Sequence, residues 1–274
     1  MTNPNLWNQL LIWPIVNLLV VFYRFFEWLH IPGPLGWAII LLTVAIRLLL
    51  YPLMQSQLAS AKKMANLKPH LDALSQKHKD DKTKLQQAQL DLYKQHGVNP
   101  AAGCLPLLIQ MPVLIALYNV FYQVLGNGNL VKVVEEINAI LYLPALKLTS
   151  LSLDFFGANL AVKPSDWQKS GWWLLSIPII TGLLQWWQTK LMMPATSSST
   201  KIQMPNQMQS PNDQKNKQGE KKEDMAADMQ KQMALMMPIM FGIFAFQFPL
   251  GLSLYWNVFG LFGIMQQLAV NKAK

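Results

Sequence analysis

Five apolar runs dominate this chain, each with few or no charges and near the roughly 20 residues that cross a bilayer as a helix. They fall at Gly36 to Met54, Cys104 to Leu125, Gly171 to Leu191, Met233 to Phe248 and Leu250 to Val270. Of the 274 residues, 52% are hydrophobic and only 14% charged, where a soluble domain has nearer a quarter charged. The formal net charge of +9 would suit nucleic acid or anionic lipid. The lysines lie between the apolar runs, which favours membrane topology and gives no sign of a specific nucleic-acid site. Cys104 is the only cysteine, so an intrachain disulfide and a thiol-based metal site are excluded.

Orientation follows from Lys and Arg near the span ends. The stretch Gln55 to Asn99 holds Lys62, Lys63, Lys68, Lys77, Lys79, Lys82, Lys84 and Lys94, which places residues 55–103 in the cytoplasm. Alternation makes 126–170 external and 192–232 cytoplasmic. The linker FPLG, Phe248 to Gly251, is then an external turn marked by Pro249, and the tail 271–274, with Lys272 and Lys274, is cytoplasmic. Every assignment agrees with the charge bias.

The run Leu10 to Leu29 is long enough to span but contains Asn17, Arg24 and Glu27. At 100° per residue Trp13, Asn17, Arg24 and Trp28 fall on one stripe, while Val16, Leu18, Leu19 and Phe22 face elsewhere. That pattern suits a helix lying in the membrane interface within residues 1–35, with a sixth span as the alternative. It lacks the basic start and small-residue cleavage site of a signal peptide.

The lysine-rich stretch reads as two helices, with Leu58, Met64, Leu67, Leu71 and Leu74 on a seven-residue repeat in the first and Leu85, Ala88 and Leu92 in the second. A break near Lys79 to Thr83 would fold them into a hairpin with one apolar seam, and Pro69 should kink the first helix. The hairpin is either a docking arm at the membrane surface or a solvated spacer. Thr196 to Asp224 has almost no apolar content and near-balanced charge, so disorder is expected. The methionines from Met225 to Met240 suit packing at the start of a span or an adaptable apolar surface.

Arg47 stands inside the first of the five spans, and none of the spans carries Asp or Glu. A central Arg costs about 2.5–3.5 kcal/mol on insertion scales, which makes it a functional candidate. Thr43 is one turn away on the same face and Tyr51 one turn further. Counting 1.5 Å per residue, Arg47 and Gln110 lie roughly 10 Å from the cytoplasmic ends of their spans and Gln185 about 9 Å. The polar groups therefore gather in the inner half of the membrane, which predicts a hollow open to the cytoplasm without a through pore. A guanidinium there attracts carboxylates; snorkelling towards the headgroups is the alternative. Trp256 and Asn257 in the last span are candidates to complete the lining. Enzyme signatures are absent: His30, His70, His78 and His96 lie outside the spans, and there is no HExxH, GxSxG or Gly-rich phosphate loop.

The segments LLTVAIRLLLYPL (Leu41 to Leu53), HGVNPAAGCLPLLIQMPVLIALY (His96 to Tyr118) and FPLGLSLYWNVFGLFGIMQQ (Phe248 to Gln267), with the lysine-rich hairpin between the first two, resemble the YidC/Oxa/Alb membrane protein insertases over nearly the whole chain. The resemblance implies an all-α integral membrane protein of the bacterial plasma (inner) membrane, with a five-transmembrane-helix core, an N-terminal interfacial helix and a cytoplasmic helical hairpin. It implies that Arg47 is the charge of a groove lined by Thr43 and Gln110, with Tyr255 or Trp256 contributing. The groove would receive hydrophilic, often acidic, ends of nascent membrane proteins and release apolar segments sideways into lipid, with no cofactor and no nucleotide. A Sec translocon and the ribosome are candidate partners. The chain departs from the family in lacking a large external domain before the core and an N-terminal lipoprotein Cys. It has Phe259 and Gly260 where members often carry Asn, and its tail after Val270 is too short for a basic ribosome-binding extension. A small-solute transporter or channel is the alternative function, but transporters usually show repeated halves, and the five unequal spans show none.

Overall fold

The computed structural model describes residues 2–78, 81–97, 105–127, 130–192 and 225–272. A π-helical turn, Asn8–Ile12, runs directly into α1 (Trp13–Trp28), where Pro14 removes one amide donor just after the π turn. Among the described residues this continuous helix is the one long and apolar enough to cross a membrane, with 21 residues and a mean hydropathy of 1.7. The stripe of Trp13, Asn17, Arg24 and Trp28 is split, with Trp28 exposed and Trp13 and Arg24 half-buried. Asn17 is buried, and the face left open carries Leu18, Val21 and Phe25.

α2 (Pro34–Leu49) starts from Gly33, which holds φ 75°. It stops short of the expected Met54 boundary, and after Leu50 the chain continues in α3 (Tyr51–Asn66). Pro52 explains the break, because it cannot donate to the carbonyl of Leu48 and its ring crowds that oxygen. α4 (Lys68–Lys77) and α5 (Lys82–Gln95) pack on each other, with the His70 and His96 rings stacked 6.1 Å apart. Pro69 does not kink a helix interior. It occupies the first turn of α4, after a break at Leu67.

α6 (Leu105–Asn127) and α7 (Leu130–Asn138) lead into a folded segment. There two-residue strands, β1 (Asp154–Phe155) and β2 (Ala158–Asn159), pair antiparallel. A short helix, α8 (Trp167–Ser170), and a 3₁₀ turn precede α9 (Ser176–Met192), which begins after the expected Gly171. α10 (Met225–Gln247) includes the methionine run within one helix, and α11 (Leu250–Lys272) follows the turn at Pro249. The stretch expected to be disordered, Thr196 to Asp224, lies outside the described residues.

One apolar core joins α1, α2, α6, α7, α11 and the segment from Ile140 to Ala161. That segment, expected to be an external loop, is a packed cap with Leu148, Leu151, Leu153 and Leu160 buried. The Asn17 amide donates to the carbonyl of Ile140 at 2.9 Å and accepts from the Tyr142 amide at 2.8 Å. The Tyr23 hydroxyl accepts from the Ser152 amide at 3.0 Å, and the Arg24 guanidinium donates to the carbonyl of Lys147. The start of α11 is tied in as well, with the Leu250 and Gly251 amides donating to Val162 and Leu160, each at 2.9 Å. Phe155 seats its ring on Gly36, where an added Cβ would come within 2.1 Å of the ring. α9 and α10 pack closely because Gly182 and Gly242 each face a carbonyl of the other helix.

Candidate functional site

Arg47 lies in the last turn of α2, where the unpaired carbonyls of a helix end favour a cation. The residue is only 3% exposed. No carboxylate among the described residues pairs with it, and its partners are neutral groups of α11. Nη2 donates to the carbonyl of Phe259 on α11 at 2.6 Å. The guanidinium carbon lies 3.5 Å from the centre of the Phe259 ring, within cation–π range. Nη1 makes a long contact of 3.4 Å to Gln266 Oε1. Nε is buried and makes no hydrogen bond with any described residue. The charge is thus solvated by neutral dipoles and a π face, and the buried Nε–H is left without a partner among the described residues.

A cavity of about 170 Å³ adjoins the guanidinium, lined by Arg47, Leu48, Tyr51, Phe262, Met265 and Gln266. It sits at the junction of α2 with α3, on the side of the lysine-rich arm. Its walls are mostly apolar, so Arg47 and Gln266 supply its polar character.

The other expected lining residues divide. Thr43 is buried one turn before Arg47, but its hydroxyl is spent on the carbonyl of Ile39 at 2.7 Å. Tyr255 is fully buried, with its ring 6.1 Å from that of Phe259. Asn257 keeps a buried Oδ1 without a donor among the described residues. Trp256 belongs to a different cluster, edge-on to Phe241 at 5.0 Å and stacked near Phe244 and Phe248. Gln185 is half-buried on α9. The side chain of Gln110 lies outside the described residues.

Sequence reasoning missed Gln188, Gly263 and Gln266, and treated Phe259 only as a departure. Gln188 Nε2 and Arg47 Nη2 crowd the same point beside Gly263, 2.6 and 3.0 Å from where its Cβ would stand. A signal was available: Phe259, Gly263 and Gln266 are spaced i, i+4, i+7 and so share one face of α11.

Apolar helices packed around a buried guanidinium that pairs with no carboxylate among the described residues suit a helical membrane protein. The model of the 60 kDa inner membrane protein family matches residues 26–274. The membrane protein insertase YidC of Oceanobacillus iheyensis is 33% identical over 98% of this chain and 85% of its own. The insertase MisCA of Bacillus subtilis is 34% identical over 98% of this chain and 80% of its own. YidC of Helicobacter pylori strain J99 is 31% identical over 88% of this chain, which spans only 33% of that relative's length. A crystal structure of an active YidC insertase with its first transmembrane domain resolved superposes with a TM-score of 0.52 at 26% identity, covering 99% of this chain and 47% of the other. The chain therefore belongs to the YidC/Oxa/Alb membrane protein insertase family, and it is a bacterial inner-membrane protein.

Proposed function

We propose that this protein is a membrane protein insertase and chaperone that receives the hydrophilic ends of nascent membrane proteins beside Arg47 and releases their apolar segments laterally into the bilayer. The observation that carries this reading is the guanidinium buried between α2 and α11 with only neutral partners among the described residues. Removing a charge from water without a counterion is costly, so a carboxylate that reaches Arg47 gains an interaction that the protein itself withholds. Thr43, Gln110, Gln185, Tyr255 and Asn257 form the polar surroundings of this groove, which opens to the cytoplasm near Tyr51. Transfer of the client's apolar surface to lipid, at about 25 cal/mol per Å², supplies the drive without nucleotide.

In this arrangement α3 to α5 form a cytoplasmic arm that docks incoming chains, and the cap over α1 lies on the outer face. The five spans, the interfacial placement of α1 and the cytoplasmic tail belong to the same reading. Lipids are the immediate partners, and a Sec translocon and the ribosome are candidates for delivery. The test is insertion of a client with a short acidic translocated tail at equal insertase levels. Arg47→Ala is expected to lower it at least tenfold, the scale of losing a charged hydrogen bond, while Arg47→Lys keeps most of it. Equal insertion by all three versions would discard the charge-reception mechanism.

A further inference from the structure

Phe259 presents two groups to Arg47 at once, its carbonyl at 2.6 Å from Nη2 and its ring face at 3.5 Å from the guanidinium carbon. In an α-helix the Phe259 carbonyl already accepts from the amide four residues on, that of Gly263. A carbonyl oxygen has a second lone pair, but the side chain at i+4 usually stands beside it. Here that residue is Gly263, and a Cβ in its place would lie 3.0 Å from Arg47 Nη2 and 2.6 Å from Gln188 Nε2. The missing side chain leaves the room that the guanidinium and Gln188 share beside the backbone of α11.

We propose that Phe259 and Gly263 form a neutral rest that holds the Arg47 guanidinium against α11 between clients, and that an arriving client carboxylate takes the guanidinium from this rest. The inference builds on the insertase reading above. Phe259 and Gly263 are positioning residues, and they set how strongly the groove prefers an acidic segment over a neutral one. The long contact to Gln266 and the unbonded Nε mark the side from which the guanidinium is released, because the cavity shares Arg47 and Gln266 in its wall.

Two substitutions separate the parts. Gly263→Ala crowds the approach to the carbonyl, and its nearest neighbours are the movable side chains of Arg47 and Gln188, so the helix itself is not broken. Phe259→Leu keeps the carbonyl and removes the ring. Arg24 and Arg47 are the only arginines in the chain, so treating membranes containing the full chain with phenylglyoxal and reading modification by mass spectrometry reports Arg47 against Arg24 as reference. Both variants are expected to raise the Arg47 rate relative to Arg24 about threefold and to raise insertion of an acidic-tailed client relative to a neutral-tailed one about two- to fivefold, the range of one cation–π contact. Wild-type labelling rates in both variants would overturn the rest, even where Arg47→Ala still removes the acidic preference. Faster labelling with an acidic preference that is unchanged, and equally unchanged in Arg47→Ala, would overturn the exchange with the client and locate the failure in the insertase reading. If Gly263→Ala fails to accumulate, Phe259→Leu decides alone.

Discussion

At its N-terminal end α2 is clamped by Phe155 on Gly36 and roofed by a cap whose polar contacts to α1 are paired through Asn17, Tyr23 and Arg24. At its C-terminal end the same helix carries Arg47 with a leftover donor, and on α11 Asn257 holds a leftover acceptor. Buried polar groups are ordinarily matched, and mismatch costs about 1–3 kcal/mol per group. The cap's ties to α1 are matched in this way, although Trp37 Nε1 on α2, beside Phe155 and Phe156, is also buried without a partner among the described residues. In the proposed mechanism the Arg47 end exchanges partners, because a site that satisfied its own charge would have nothing to offer a client.

The contrast breaks most plainly at Arg47. Arg47→Ala should abolish the acidic-client preference while leaving the unfolding midpoint in detergent nearly unchanged; a large drop in that midpoint would make the residue part of the scaffold. Next in size is Asn17→Leu, which orphans the Tyr142 amide and the Ile140 carbonyl and should cost about 2–3 kcal/mol of stability in denaturant titration. The acidic-to-neutral insertion ratio should not move, and a shift in it would show that the two ends are coupled. Tyr23→Phe removes one acceptor from the Ser152 amide and should cost about 1 kcal/mol by the same titration.

The smallest effect lies in the arm. Asp81 caps α5, its Oδ1 accepting the Lys84 amide at 3.0 Å and its Oδ2 facing Lys84 Nζ at 3.1 Å. The backbone hydrogen bond first, then the lysine side chain, hold this carboxyl below its usual range. A lowered folded-state value means the cap's contribution is present above the ordinary carboxylate range and is lost as pH falls through and below it. Circular dichroism of the full chain in detergent should show a slight loss of helix on acidification, absent in Asp81→Asn. An identical acid response in the two chains would remove the cap from consideration.

Much of this was legible in the residues. Apolar runs, lysine placement and the motifs around Arg47 and Phe248 to Gln267 identified a helical membrane protein and its family, since length and hydropathy are local properties. Helix limits were less legible, because Pro52 and Pro69 act through particular carbonyls and turns. That Asn17 and Arg24 of the α1 stripe meet a packed cap was not legible, since a polar face looks the same in sequence whether it meets headgroups or protein. The spacing of Phe259, Gly263 and Gln266 puts them on one face of α11, but that this face and Gln188 lie beside Arg47 was unreadable, because which faces of α9 and α11 meet α2 depends on how the helices pack.

What the sequence by itself determined is that a positive charge sits among apolar helices with no acidic residue in any span to cancel it, a matter of composition and order. Only the tertiary structure decided that the charge rests on a backbone carbonyl and a phenylalanine ring, and that the cap closes the far end of α2. Those contacts join residues more than two hundred positions apart in one case and more than a hundred in the other, and chain proximity carries no information about them.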